Sequence, residues 1–147
     1  MTQIFFYHNA ANRIAASAAL ISKAFLQSKT LVALVVYAPD ADVASAIDRH
    51  LWMHPPSAFV PHVRSSSPLA DQTPVLIADT PDALGTLARN ERLFNLSNDV
   101  PPGFSRFTSV IEVVGHDADE RLASRQRVKF YKDRGYAITY FDLLETP

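Results

Sequence analysis

Histidine is the residue type in this chain best suited to metal or acid–base work, and five are scattered along it, at 8, 50, 54, 62 and 116. His50 and His54 have the i, i+4 spacing that sets two imidazoles on one helix face. The glutamate of an HExxH zinc site is missing, because Leu51 follows His50, and Pro55 disfavours helix at His54. Partly exposed histidines near a helix end are the plainer reading. The chain has no cysteine, which removes thiol nucleophiles, disulfides and thiolate-held zinc. No G-x-S-x-G elbow surrounds a serine, and Ser65, Ser66 and Ser67 belong to a polar loop. The inventory points away from an enzyme, with no metal and no cofactor expected.

Nucleotide chemistry would need glycines that let backbone N–H groups approach phosphate. Only Gly85, Gly103, Gly115 and Gly135 are present, and the first strand–helix turn reads Tyr7-His8-Asn9-Ala10-Ala11. A small-molecule or nucleotide-binding α/β enzyme, with its ligand at His8 and Asn9, is the competing reading.

Charge is concentrated in one place. Arg121, Arg125, Lys129 and Lys132 recur at i, i+4, i+8 and i+11, which on a helix is a stripe about 80° wide. Val128 borders it, and Asp117, Asp119 and Glu120 fall in the first turn, where they suit the helix dipole. Two readings fit: a solvated face, or a landing strip for an acidic peptide or a nucleic-acid backbone. The net charge of −1 and the lack of an RNP pattern set nucleic acid behind peptide.

Trp52, the one tryptophan, precedes a segment stiffened by Pro55, Pro56 and Pro61 and carrying Phe59. It is either packed into the core, the usual place of a large aromatic, or joins Met53 and Phe59 in an apolar pocket near the surface. A loop held by prolines loses little entropy on binding.

The elements that must hold these residues follow from the apolar pattern. Strands are expected at 3–7, 31–37, 74–78, 92–96, 109–114 and 136–141. Helices are expected at 10–27, 41–53 and 117–134, capped in turn by Asp40 for the second and Gly135 for the last, with a short one opened by Thr80-Pro81-Asp82. The proline-rich stretch 54–62 and the polar stretch 65–73 read as non-helical and loop. Alternating strands and helices predict one three-layer α/β/α domain over residues 1–147, with a largely parallel central sheet, Rossmann-like but without a nucleotide-binding loop. Hydrophobic residues at 48% and charged ones at 20% are globular values. No basic leader precedes Ile4 and no apolar run approaches about 18 residues, so a soluble cytoplasmic protein without membrane contact is expected.

Two segments carry a family resemblance. Leu51-Trp52-Met53-His54-Pro55-Pro56-Ser57-Ala58-Phe59-Val60-Pro61-His62, with its LW pair, its prolines and its closing F-V-P-H, resembles the signature segment of the chi subunit of bacterial DNA polymerase III. Arg125-Gln126-Arg127-Val128-Lys129-Phe130-Tyr131-Lys132, followed by Gly135-Tyr136, is similar to that family's R-x-R-Y-K-x-Y helix, with Val128 where tyrosine is common. The resemblance implies a non-catalytic accessory subunit of the clamp-loader assembly. Its partners would be the psi subunit, through psi the clamp loader, and the acidic C-terminal tail of single-stranded DNA-binding protein, with no sequence-specific nucleic-acid contact. The tail site it implies would join Trp52, Met53 and Phe59 as an apolar part to Arg121, Arg125, Val128, Lys129 and Lys132 as a basic part.

Overall fold

The structure, a computed structural model, describes residues 1–27, 33–53 and 60–144. Its elements run β1 (Gln3–Ala10), α1 (Arg13–Gln27), β2 (Leu34–Tyr37), α2 (Ala41–Met53), β3 (His62–Arg64), β4 (Val75–Ala78), α3 (Pro81–Thr86), β5 (Arg92–Asn95), β6 (Ser109–Gly115), α4 (Ala118–Asp133) and β7 (Ile138–Asp142). The strands form one sheet in the order β3-β4-β2-β5-β6-β1-β7, and every pair is parallel. The expected three-layer α/β/α arrangement is what forms.

Side-chain alternation builds the layers. Along β2, Leu34 and Val36 join the cluster made with Ala18 and Ile21 of α1 and Ala44, Ile47 and Leu51 of α2. Val35 and Tyr37 point the other way, into the cluster with Leu84 of α3 and Tyr131 of α4. All four β2 residues are buried, as a strand covered on both faces requires. Thus α1 and α2 cover one face, and α3 and α4 the other. Chain direction explains it: successive right-handed crossovers put the helix on opposite faces when the chain moves opposite ways along the sheet.

Local chemistry sets the helix ends. Asp40 Oδ1 accepts from the Asp42 and Val43 N–H groups at the start of α2, Thr80 caps α3 ahead of Pro81, and Asp117 caps α4 through Asp119 and Glu120. At the end of α4, Tyr136 N–H donates to Tyr131 C=O and Gly135 N–H to Lys132 C=O, a Schellman pair with Gly135 at φ 81°.

Several elements differ from expectation. The first helix begins at Arg13 rather than at residue 10, because β1 runs on to Ala10 through an irregularity at Asn9, whose φ is 63°; Asn12 then caps the helix by accepting from Ala15 N–H. The second strand is regular from Leu34, and residues 31 and 32 lie outside the described set. A further difference is β3, a strand at His62–Arg64 where no strand is expected. It has three residues after Pro61, too short for a periodic signal, and exists because it pairs with β4 at the sheet edge.

Gly135 has open space around its missing Cβ, so Gly135→Ala should lower stability by about 1 kcal/mol through backbone strain alone. Urea unfolding should show that loss with an unchanged m-value.

Candidate functional site

The basic helix face is positioned from beneath. Glu112 sits in the middle of the apolar strand β6 and is fully buried. An isolated carboxylate there would be untenable, and α4 supplies its partners. Arg127 Nε donates to Glu112 Oε1 at 3.1 Å, and Tyr131 Oη donates to Oε2 at 2.7 Å. Asn95 Nδ2, from the neighbouring β5, donates to Oε2 at 3.0 Å. Burial first, and then the adjacent Glu112 carboxylate, push the Tyr131 phenol far above its ordinary range, so it stays a donor. Arg127 also reaches the Asn98 carbonyl.

These bonds set the rotation of α4. Ser124, Arg127 and Tyr131 are its buried line, and the basic stripe is centred roughly 130° around the helix from it. Arg121, Arg125, Lys129 and Lys132 are all exposed, while Val128, on the border, is half-buried. Lys132 Nζ stands 5.9 Å over the Tyr140 ring of β7, so the Val128–Lys132 flank of α4 leans toward that edge of the sheet.

At the N-terminal end of α4 the stripe opens on a small cleft of about 160 Å³ lined by Phe6, His8, Asn9, Val114, Arg121 and Arg125, among others. It lies at the carboxyl ends of β1 and β6, from which α1 and α4 leave toward opposite faces, the usual ligand position in such sheets. One wall is built around Asn9, held in the left-handed region, whose Nδ2 donates to Asp142 Oδ1 at 3.0 Å. That bond, with the Leu144 N–H, holds the Asp142 carboxyl below its usual pKa. On the far side of β6, Arg13 donates to the carbonyls of Val113 and Ser97 and ties α1 to the same end of the sheet. Burial, then the nearby Arg127 cation, draw its pKa down, while Glu112 and Glu120 oppose the shift.

Trp52 is not a core residue: it is 61% exposed and Met53 59%. The Trp52 ring meets His62 edge-on at 5.2 Å, and the buried His62 bonds to the Asp48 carboxylate and carbonyl. Trp52 therefore sits at the end of α2, beside β3. The residues expected to form one tail site lie on different elements. Trp52 and Met53 belong to the α1–α2 face near one sheet edge, whereas Arg121, Arg125, Val128, Lys129 and Lys132 belong to the α4 face leaning toward the other. Phe59 lies outside the described residues.

Sequence reasoning passed over Glu112 and Arg13, and gave Arg127 no role of its own within the motif that contains it. A signal existed for the first: a glutamate inside Ser109-Val110-Ile111-Glu112-Val113-Val114 is a buried charge that demands a cation. Among the described residues no three His, Asp or Glu side chains gather as metal ligands, and no helix is long and apolar enough to cross a membrane.

Comparison with known proteins gives a consistent set of relatives. Residues 1–139 match the family described as DNA polymerase III chi subunit, HolC. The DNA polymerase III subunit chi of Haemophilus influenzae is 32% identical over 98 residues, 65% of each chain. The Pseudomonas aeruginosa protein of the same description is 30% identical over 148 residues, 94% of each. Among solved structures, the C-terminal domain of S. cerevisiae Dbp5 bound to Gle1 and IP6 aligns with TM-score 0.64 over 97% of this chain and 90% of that one. At 14% identity that likeness concerns the fold alone.

Arg127→Met should cost about 3–5 kcal/mol, because it leaves Glu112 buried without its cation. The exposed Arg125→Ala should stay within about 0.5 kcal/mol; urea titration of both separates anchor from stripe. Asp142 has a lowered folded pKa, so its contribution is present above the unfolded value near 4 and fades as pH falls through the folded one. Acid titration of stability below about pH 4 should therefore be shallower in Asp142→Asn than in the parent chain.

Proposed function

This chain belongs to the DNA polymerase III chi subunit family, and from that membership we propose that it is a non-catalytic bridge between the psi subunit and the acidic C-terminal tail of single-stranded DNA-binding protein. It would act in the cytoplasm and join the clamp-loader assembly through psi. The observation that carries the tail half of this reading is the exposed stripe Arg121–Arg125–Lys129–Lys132 ending in a cleft.

The tail chemistry suits that cleft. Its two arginines present planar donors to a terminal carboxylate, and the buried Phe6 and Val114 close the cleft from beneath. The space, about 160 Å³, is below the roughly 300 Å³ at which enclosed small-molecule sites begin, which favours the end of a peptide over an enzyme substrate near His8 and Asn9. Neighbouring acidic residues of the tail would follow the stripe, each exposed ion pair adding no more than about 1 kcal/mol.

A bridge needs two surfaces that can be filled at once. Trp52 and Met53, exposed on the other helical layer, form the second, and their apolar character fits a protein subunit such as psi. The site implied by the motifs thereby divides in two, the basic half for the tail and the aromatic half for psi.

Titrating a labelled aspartate-rich peptide ending in a free phenylalanine should show saturable binding that weakens with salt. Arg125→Ala should weaken it about tenfold, a loss near 1.4 kcal/mol. Trp52→Ala should leave peptide affinity within about twofold while weakening psi capture. Peptide binding indifferent to both salt and Arg125→Ala would sink the tail assignment.

A further inference from the structure

The two edges of the sheet are built differently. At one, β3 is three residues long, follows Pro61 and carries Arg64 paired to Asp79 at 2.9 Å, features that blunt an edge against pairing. At the other, β7 runs five residues, Ile138-Thr139-Tyr140-Phe141-Asp142, without proline, glycine or lysine. Among the described residues nothing covers its outer side, and Thr139, Tyr140 and Phe141 are all exposed.

The ladder shows which backbone groups are turned outward. Ile4 N–H donates to Ala137 C=O, and Leu143 N–H donates to His8 C=O. In a parallel ladder bonding alternates, so the odd-numbered residues of β7 face β1, and Ile138 and Tyr140 point their N–H and C=O groups away from the sheet. Aromatic rings flank that open row on both sides. Tyr140 packs 5.9 Å from Phe6 on the α4 face, and Phe141 stacks 4.7 Å from Tyr7 on the α1 face.

The C-terminal end of the basic stripe reaches this edge. Lys132 is over Tyr140, and α4 proceeds antiparallel to β7, so Arg125 and Arg121 lie toward the carboxyl end of the sheet, at the cleft. Lengths agree: eleven helical steps from Arg121 to Lys132 span about 16 Å, and five strand residues span about the same. An extended chain laid on β7 would therefore start beside Lys132 and be led toward the two arginines at the carboxyl end of the sheet.

We propose that β7 accepts an acidic, extended peptide as an eighth strand, parallel to it, with the peptide's terminal carboxylate at Arg121 and Arg125. This deepens the tail reading above and rests on it. Charge selects the occupant: the added strand starts beside Lys132 and ends at Arg121 and Arg125. The parallel direction follows from the cleft, since the carboxylate must finish at the carboxyl end of the sheet. Exposed ion pairs contribute little each, and the outward N–H and C=O groups of Ile138 and Tyr140 supply the directional contacts that make strand addition a recognition mode. A second copy of the chain is disfavoured on this edge, because antiparallel pairing of two β7 strands would set two basic stripes side by side.

The test is an N-methyl scan of an aspartate-rich peptide of about eight residues ending in a free phenylalanine carboxylate. Methylation at alternate amides should weaken binding about tenfold, and at the intervening ones less than about twofold. In parallel, Tyr140→Pro removes an outward donor at an edge position that tolerates proline. It should keep the melting temperature within a few degrees and lose peptide affinity about tenfold. If Tyr140→Pro fails to fold, the scan on the parent chain decides by itself. A flat scan, with unmethylated peptide still sensitive to Arg125→Ala, overturns strand addition and leaves the tail reading standing. No binding of the unmethylated peptide overturns both. A concentration-dependent dimer that Tyr140→Pro abolishes gives the edge to a second copy and overturns the proposal.

Discussion

A carboxylate buried at the centre of a parallel sheet constrains everything placed around it. Glu112 cannot hold its charge in that position unless a cation and further donors come to it, and all are supplied from within the chain. Arg127 and Tyr131 come from one turn of α4 and Asn95 from the adjacent strand. Such a network adds less to net stability than apolar packing of the same volume could, because its ions must be desolvated. What it provides is definition. A helix held only by apolar contacts can roll by a fraction of a turn; one whose arginine and tyrosine must both reach the same carboxylate cannot.

Rotation of α4 is thereby coupled to the surface. With Ser124, Arg127 and Tyr131 inward, the four cations of the stripe have no option but solvent. The cluster in which Phe104, Phe130 and Tyr136 surround Tyr131 supports the same orientation, and Arg134 closes it from outside, 3.7 Å over the Phe130 ring. Arg13 then ties the start of α1 to the loop after β5 and to the end of β6. The carboxyl end of the sheet, where the cleft opens, is bound from both layers.

The surfaces left over are unlike one another. The α4 side presents cations next to a five-residue strand edge; the α2 side presents Trp52 and Met53 next to a three-residue one that follows Pro61. The separation follows from crossover handedness and not from any local preference of these residues. Occupying one surface would leave the other accessible.

Much of this was legible in the order of residues. Helix ends follow from groups one to four positions apart, which is why Asp40, Thr80, Asp117 and Gly135 act where their types suggest. The parallel α/β class follows from alternating apolar runs and helical periods, and the exposed stripe from a spacing that any helix would honour. Two motifs were enough to indicate the family. The short strand β3 was not legible, since its three residues form a strand only against β4, and neither was the meeting of Glu112 with Arg127, which lie fifteen positions apart on different elements. Nor could the chain's order alone say that Trp52 and Arg125 occupy different sides. Strand order and crossover direction decide that, and they are settled by which pairings bury the most apolar surface at once, a property of the whole fold that no local window contains.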